Sequence, residues 1–205
     1  MSMENSTYAT STDRIAAFLG YLFALGVMVG LGAILTTAMV LQYGFGELPC
    51  PLCLLQRVAM LGVVVALLMQ FRTGFSYQNT GIAMLFALML LVVAERQTLL
   101  DIYPRPGHEY VGTAILGLHM PVWGIVIGLG LLLAFILRLA VLGGPRQAAA
   151  FPAETFPLLR RLGLIVGALV TVIALVNFGS VAVQCGIGEC HTEGYALLGY
   201  TPPAS

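Results

Sequence analysis

The chain has 205 residues, of which 59% are hydrophobic and only 9% are charged, and its mean hydropathy is +0.95. A soluble protein of this composition would have too few polar side chains to cover its surface, so the composition indicates an integral membrane protein. The formal net charge is zero, every basic residue is an arginine, and no run of like charges occurs. This pattern argues against a nucleic-acid partner and against a polybasic lipid anchor.

Five apolar stretches approach or exceed the length of roughly 20 residues that a helix needs to cross a bilayer. We predict spanning helices over residues 15–41, 52–71, 76–94, 117–138 and 162–183. The predicted fold class is an all-α membrane protein, a four-helix transmembrane bundle plus a fifth transmembrane helix. The first stretch is too long for a signal-peptide core and should remain uncleaved. Within it, the spacing of Gly26 and Gly30 predicts close helix packing inside the bundle.

The arginines predict the orientation of these helices. With the N-terminus inside, the inside segments hold six arginines and the outside segments three, as the positive-inside rule requires. The inside residues are Arg14, Arg72, Arg138, Arg146, Arg160 and Arg161, and the outside residues are Arg57, Arg96 and Arg105. All four cysteines then lie outside, which in bacteria is the periplasm, where disulfides persist.

This orientation divides the chain into five segments. They are a cytoplasmic N-terminus (1–14), a four-helix transmembrane core (15–141), a cytoplasmic connector (142–161), the fifth transmembrane helix (162–183) and a periplasmic tail with two cysteines (184–205). The localisation that follows is the bacterial inner membrane, with several spans and a periplasmic C-terminus.

A Cys-Pro-Leu-Cys motif, Cys50 to Cys53, begins the predicted second helix. Cysteines at this spacing support disulfide exchange, because one can attack while the other resolves the mixed disulfide. Pro51 suits the first turn of a helix, and the helix N-terminus favours a thiolate at Cys53. Arg57 shares a helix face with Cys53 and can stabilise that thiolate or bind a polar group of a cofactor. The alternative is an arginine that only snorkels to the membrane surface.

The segment Leu48–Arg57 resembles the active-site segment of the DsbB family, the quinone-reducing membrane proteins that reoxidise periplasmic disulfide donors. The stretches Ile102–Pro106 and Leu116–Trp123 resemble family stretches in the same order, so the resemblance covers about residues 15–140. It implies an enzyme that oxidises a periplasmic DsbA-like dithiol protein and passes the electrons to a membrane quinone, either ubiquinone or menaquinone. By resemblance, Cys50 and Cys53 are catalytic, Cys53 lies nearest the quinone, and Arg57 binds it.

Two departures from the family pattern concern the other site residues. Family members commonly carry a second cysteine pair between the third and fourth helices, whereas residues 95–116 of this chain contain no cysteine. We predict that Cys185 and Cys190, which follow the fifth helix, act instead as a catalytic shuttle pair; the alternative is an inert disulfide that holds the tail. Where the best-known members often have a quinone-side histidine, this chain has Gln97, which can still donate a hydrogen bond to the cofactor.

Other functions remain open at this stage. The four cysteines, with His191 nearby, fit a closed zinc site, although an oxidising compartment disfavours one. A non-catalytic membrane subunit that uses its cysteines structurally is another alternative. A thiol–quinone reductase of the vitamin K epoxide reductase type shares the chemistry but arranges its cysteines differently along the chain.

Overall fold

The structure is a computed structural model, and it describes residues 11–102, 116–142, 151–186, 188 and 194–199. Five helices cover most of this part of the chain: α1 (Ser11–Gly44), α2 (Pro51–Thr73), α3 (Tyr77–Ile102), α4 (Met120–Leu142) and α5 (Pro157–Cys185). Each is long and apolar enough to cross a membrane, which confirms the predicted fold class. Five residues named in the sequence interpretation lie outside the described part: Arg105, Pro106, Arg146, Cys190 and His191.

The helices form one bundle in which α2 packs against α3, α3 packs against α4, and α5 packs against both α1 and α2. The connections from α1 to α2 and from α2 to α3 are short, so these neighbours run antiparallel. The C-termini of α1, α3 and α5 therefore lie beside the N-termini of α2 and α4. We name this the cysteine end of the bundle, because it holds Cys50, Cys53 and Cys185.

Small residues set the close approach of α4 to α3. A Cβ atom added to Gly124 would lie 2.8 Å from the Cβ of Ala94, and one added to Gly128 would lie 3.0 Å from the backbone of Leu91. Gly163 and Gly167 of α5 face α2 in the same way, against Phe71 and Leu68. Helices in lipid associate by such van der Waals packing, since no hydrophobic force drives them together.

The glycines predicted to pack inside the bundle do not do so. A Cβ atom added to Gly26 or Gly30 would meet nothing within 4 Å, so that prediction is wrong. Both lie on the outer face of α1 among exposed apolar side chains such as Val29 and Ile34. Glycine spacing alone does not say which face of a helix is buried, because the partner helix decides it.

The third helix is longer than predicted, and this changes the place of Gln97. The predicted span ended at residue 94 and left residues 95–116 as a loop, but α3 continues to Ile102. Glu95 and Arg96 are exposed, whereas Ala94 and Gln97 are buried, so the helical alternation of buried and exposed positions continues past the charged pair. Gln97 consequently lies on a helix face that points into the bundle.

At the opposite end of the bundle, aromatic packing joins α1, α4 and the turn between α2 and α3. The rings of Tyr21 and Phe75 lie 4.2 Å apart between centroids, and the guanidinium of Arg138 sits 4.5 Å above the ring of Phe75. Phe23 and Phe135 make a further edge-to-face contact between α1 and α4 at 5.5 Å. These contacts close this end, where no cysteine lies among the described residues.

Candidate active site

The first turn of α2 carries a disulfide between Cys50 and Cys53. Cys50 is the N-cap residue, and its sulfur accepts a hydrogen bond of 3.1 Å from the backbone N–H of Cys53. Pro51 occupies the first helical position, where its missing N–H costs nothing. The predicted helix start and the place of Cys53 in the first turn are both confirmed. Cys50 is buried and Cys53 is half-buried.

The side-chain amide of Gln97 contacts both sulfurs of this disulfide. Its Nε2 atom lies 3.3 Å from Cys50 Sγ and 3.5 Å from Cys53 Sγ. Its Oε1 atom accepts a hydrogen bond of 2.9 Å from Nε2 of Gln56. The bond from Gln56 fixes which way the Gln97 amide points, so its N–H groups face the sulfurs. A donor in this place would stabilise a thiolate much more than a neutral disulfide, because charge-assisted hydrogen bonds are stronger.

A glycine on α4 makes room for this pair of amides. A Cβ atom added to Gly124 would lie 2.9 Å from Oε1 of Gln56 as well as against Ala94. Gln56 itself is only 7% exposed. The position of α4 therefore limits where Gln56, and through it Gln97, can lie.

Arg57 is buried, with 9% of its surface exposed, so it does not snorkel to the membrane surface. One guanidinium nitrogen, Nη1, donates to Oε1 of Gln42 at 2.7 Å and to Oδ1 of Asn177 at 3.1 Å. The other, Nη2, donates to the backbone carbonyl of Ala38 at 3.3 Å. These partners belong to α1 and α5, and no hydrogen bond joins Arg57 to either cysteine among the described residues. All three acceptors are neutral groups.

Three polar side chains near the C-terminal end of α5, those of Asn177, Ser180 and Gln184, lie on one helix face and reach this region. Ser180 accepts a hydrogen bond of 2.6 Å from Nε2 of Gln42, and Nε2 of Gln184 donates at 2.9 Å to the carbonyl of Pro49. With Asn177, these residues follow the spacing of three and four that brings side chains to one face. Sequence reasoning missed them, although polar residues at that spacing inside an apolar span were the available signal.

Sequence reasoning also missed Gln42, a residue of α1 that joins α2 and α5 through its hydrogen bonds. Its Oε1 atom accepts from Arg57, while its Nε2 atom donates to Ser180 and, at 3.4 Å, to the hydroxyl of Tyr195 in the tail. Every partner is internal to the protein, as buried polar groups in a bilayer require. We call Arg57, Gln42, Asn177 and Ser180 the Arg57 network.

Cys185 is the last residue of α5, is buried and takes part in a disulfide. Its predicted companion, Cys190, lies outside the described residues. Gln184, the residue before Cys185, contacts Pro49, the residue before Cys50. The end of α5 therefore lies against the segment that leads into the first cysteine pair.

The described residues contain no cluster of metal ligands that would support the zinc alternative. Within residues 11–102, 116–142 and 151–186, no group of three or more histidine, cysteine or acidic side chains could hold a metal ion. The sulfurs of Cys50 and Cys53 are bonded to each other, and a disulfide offers no thiolate to a metal.

Comparison with known protein families finds one match. The family model described as Disulfide bond formation protein DsbB matches residues 20–109. The match ends before α4, so residues 116–123, α5, Cys185 and Cys190 lie beyond it. No curated protein and no solved structure matches the chain. Residues 20–109, which include the cysteine pair, Arg57 and Gln97, are therefore similar to the DsbB family of disulfide bond formation proteins.

Proposed function

We propose that the protein is a membrane thiol–disulfide oxidoreductase that reoxidises a periplasmic DsbA-like dithiol protein and passes the electrons to a membrane quinone. The observation that carries this proposal is the Cys50–Cys53 disulfide at the start of a spanning helix, with the amide of Gln97 against both sulfurs. A disulfide in that place is within reach of a soluble thiol and of a molecule dissolved in lipid. The family match supports the disulfide chemistry.

The thiol steps use the two cysteine pairs in sequence. A thiolate of the reduced partner attacks the proposed Cys185–Cys190 disulfide, and its second thiolate resolves the mixed disulfide, which leaves an oxidised partner and a reduced tail pair. The tail dithiol then reduces the Cys50–Cys53 disulfide by the same exchange. Each exchange breaks one S–S bond and forms another, so two electrons and two protons move inward. The contact of Gln184 with Pro49 supports this order, because it holds α5 beside Cys50.

The last step returns the Cys50–Cys53 dithiol to a disulfide. A bound quinone, ubiquinone or menaquinone, would supply the acceptor for the two electrons and two protons that this oxidation releases. In the chain, the Gln97 amide and the backbone N–H of Cys53 point at the sulfurs, and both favour the thiolate that must form first. Arg57 would bind a quinone oxygen. The residues fit such a group, because Arg57 is buried with neutral acceptors only, so its positive charge is not cancelled.

The compartments follow from the arginine distribution. Six arginines on one side of the membrane and three on the other favour a cytoplasmic N-terminus. The cysteine end and the C-terminal tail then face the periplasm of a bacterial inner membrane. A periplasmic position also suits the disulfides of Cys50, Cys53 and Cys185.

Stopped-flow absorbance of the purified protein in detergent tests the proposal. The protein is mixed with quinone and a reduced thioredoxin-fold dithiol protein, and wild type is compared with Cys53→Ser. We expect quinone absorbance to fall in wild type at a rate set by the dithiol protein, and the Cys53→Ser variant to show no loss. If neither ubiquinone nor menaquinone is reduced by wild type, the proposal is wrong, and a non-catalytic subunit becomes the better reading.

A further inference from the structure

The fifth helix lies beyond the family match, which ends at residue 109, yet its side chains complete the surroundings of Arg57. Asn177 contributes one of the three acceptors of the guanidinium, at 3.1 Å. Ser180 contributes indirectly by accepting from the amide of Gln42 at 2.6 Å. Both are at least nine-tenths buried. Without α5, two of the groups that hold Arg57 would lose their place.

The acceptors of Arg57 share one property, which is that none carries a charge. The ion pair among the described residues joins Arg160 to Glu154, and Arg57 donates only to two side-chain amides and a backbone carbonyl. A carboxylate in the place of Asn177 would satisfy the same hydrogen bond and would also cancel the guanidinium charge. The amide holds the group in position and leaves its charge available.

Ser180 supports the orientation of Gln42 that Arg57 requires. An amide has a donor end and an acceptor end, and only its oxygen can accept from a guanidinium. Because Nε2 of Gln42 donates to Ser180 and to Tyr195, its Oε1 atom is turned towards Arg57. The hydroxyl on α5 therefore acts on Arg57 through a residue of α1.

We propose that Asn177 and Ser180 are positioning residues that hold Arg57, uncompensated in charge, for the quinone step, so that α5 is part of the quinone site. This inference rests on the proposed function. Neither residue touches the cysteines in the structure, so the exchange between thiols does not depend on them. Their loss should weaken the use of quinone and leave the thiol steps unchanged.

The test measures two half-reactions on the purified full chain. One is the steady-state KM and kcat for quinone with excess reduced dithiol protein, and the other is single-turnover reduction of the protein by dithiothreitol after quinone has been removed. The variants are Asn177→Ala, Asn177→Asp and Ser180→Ala, with Arg57→Ala as the reference for complete loss. Leu175→Ala is the matched control, because Leu175 is an exposed residue of the same helix.

We expect Asn177→Ala to raise the quinone KM about tenfold. The loss of a hydrogen bond to a charged group corresponds to a change in affinity of about tenfold or more. Asn177→Asp should raise KM at least as much, because it keeps the acceptor but cancels the charge, and Ser180→Ala should raise it less. Single-turnover reduction and the control should be unchanged.

Three results would overturn the inference while leaving the proposed function intact, provided that wild type reduces quinone. The first is an unchanged KM in both Asn177 variants. The second is a wild-type KM in Asn177→Asp alone, which would show that the neutrality of the acceptor has no role. The third is an equal loss in both half-reactions with a lower unfolding temperature, which would show a purely structural role. If wild type itself reduces no quinone, the proposed function fails first.

Discussion

The side-chain amide of Gln184 donates a hydrogen bond of 2.9 Å to the backbone carbonyl of Pro49, and both groups are buried. Gln184 precedes Cys185, and Pro49 precedes Cys50, so this bond joins the two segments that carry the cysteine pairs. This hydrogen bond would keep the tail pair close to the Cys50–Cys53 disulfide and would thereby favour thiol–disulfide exchange between the two pairs.

Replacement of Gln184 tests whether this hydrogen bond matters. Gln184→Ala removes the donor and leaves a buried carbonyl without it, at a cost of about 1–3 kcal/mol. We expect the reduction of Cys50–Cys53 by the soluble dithiol protein to slow about tenfold, whereas direct reduction by dithiothreitol keeps its rate. Thiol labelling after acid quench measures both. Phe178→Ala, an exposed position on the same helix, is the control; equal slowing with both reductants would contradict the role.

The shuttle role of the tail pair has a separate test. In the double variant Cys185→Ser, Cys190→Ser, the dithiol protein should no longer drive quinone reduction, because the first acceptor of its electrons is gone. Dithiothreitol, which is small enough to reach Cys50–Cys53 directly, should still drive it. Quinone absorbance reports both. Undiminished turnover with the dithiol protein would leave the tail disulfide as a structural link only.

Gln97 should control the reactivity of the first pair. Gln97→Leu keeps a side chain of similar size but removes the N–H groups that lie 3.3 and 3.5 Å from the two sulfurs. A hydrogen bond to a charged group contributes about 1.5–3 kcal/mol, so the single-turnover reduction of Cys50–Cys53 by dithiothreitol should slow at least tenfold. Leu99→Ala, an exposed site on α3, should keep the wild-type rate. A normal rate in Gln97→Leu would remove the amide from the mechanism.

Substitution of the α4 glycines by alanine should change the stability of the protein differently on the two faces of the helix. A Cβ atom at Gly124 would meet Ala94 at 2.8 Å and Gln56 at 2.9 Å, whereas one at Gly130 would meet nothing within 4 Å. Gly124→Ala should destabilise the protein by about 1–3 kcal/mol through overpacking. Gly130→Ala should be neutral or stabilising by up to about 1 kcal/mol, because alanine is the better helix former. Thermal unfolding in detergent compares the two, and equal midpoints would contradict the packing of α3 on α4.

The orientation can be checked with single thiols in a version of the protein whose four cysteines are replaced by serine. Phe45→Cys places a thiol at the cysteine end, and Tyr77→Cys places one at the opposite end; both positions are exposed. A maleimide that crosses the outer but not the inner membrane should label the first in whole cells and the second only after the inner membrane is opened. The reverse pattern would invert the proposed compartments.

The sequence predicted correctly those features that depend only on residues close together in the chain. Five long apolar stretches can satisfy their backbone in lipid only as helices, and Pro51 after Cys50 starts α2 because proline needs no donor in the first turn. The Cys-Pro-Leu-Cys spacing placed the two sulfurs within bonding distance of each other. Arg57 stood out as an ionisable residue next to that motif.

The predictions that failed depended on which neighbouring helix packs against the residues concerned. Charged Glu95 and Arg96 suggested that the third helix had ended, yet both simply face outwards while Gln97 stays buried on the next turn. Gly26 and Gly30 have the spacing of a packing motif, but glycines of α4 and α5, such as Gly128 and Gly163, are the ones that lie against a partner helix. In both cases the sequence contains the pattern, and the adjacent helix decides its meaning.

The sequence by itself determined that the protein is a five-helix membrane protein with a redox cysteine pair near an arginine. Only the tertiary structure decided that Arg57 is held by Gln42 and Asn177, which lie 15 and 120 positions away in the chain, and that Gln97 reaches both sulfurs. The physical reason is that helix periodicity and caps depend on neighbours in the chain, whereas the partner of a buried polar group depends on how helices that are distant in sequence pack against each other.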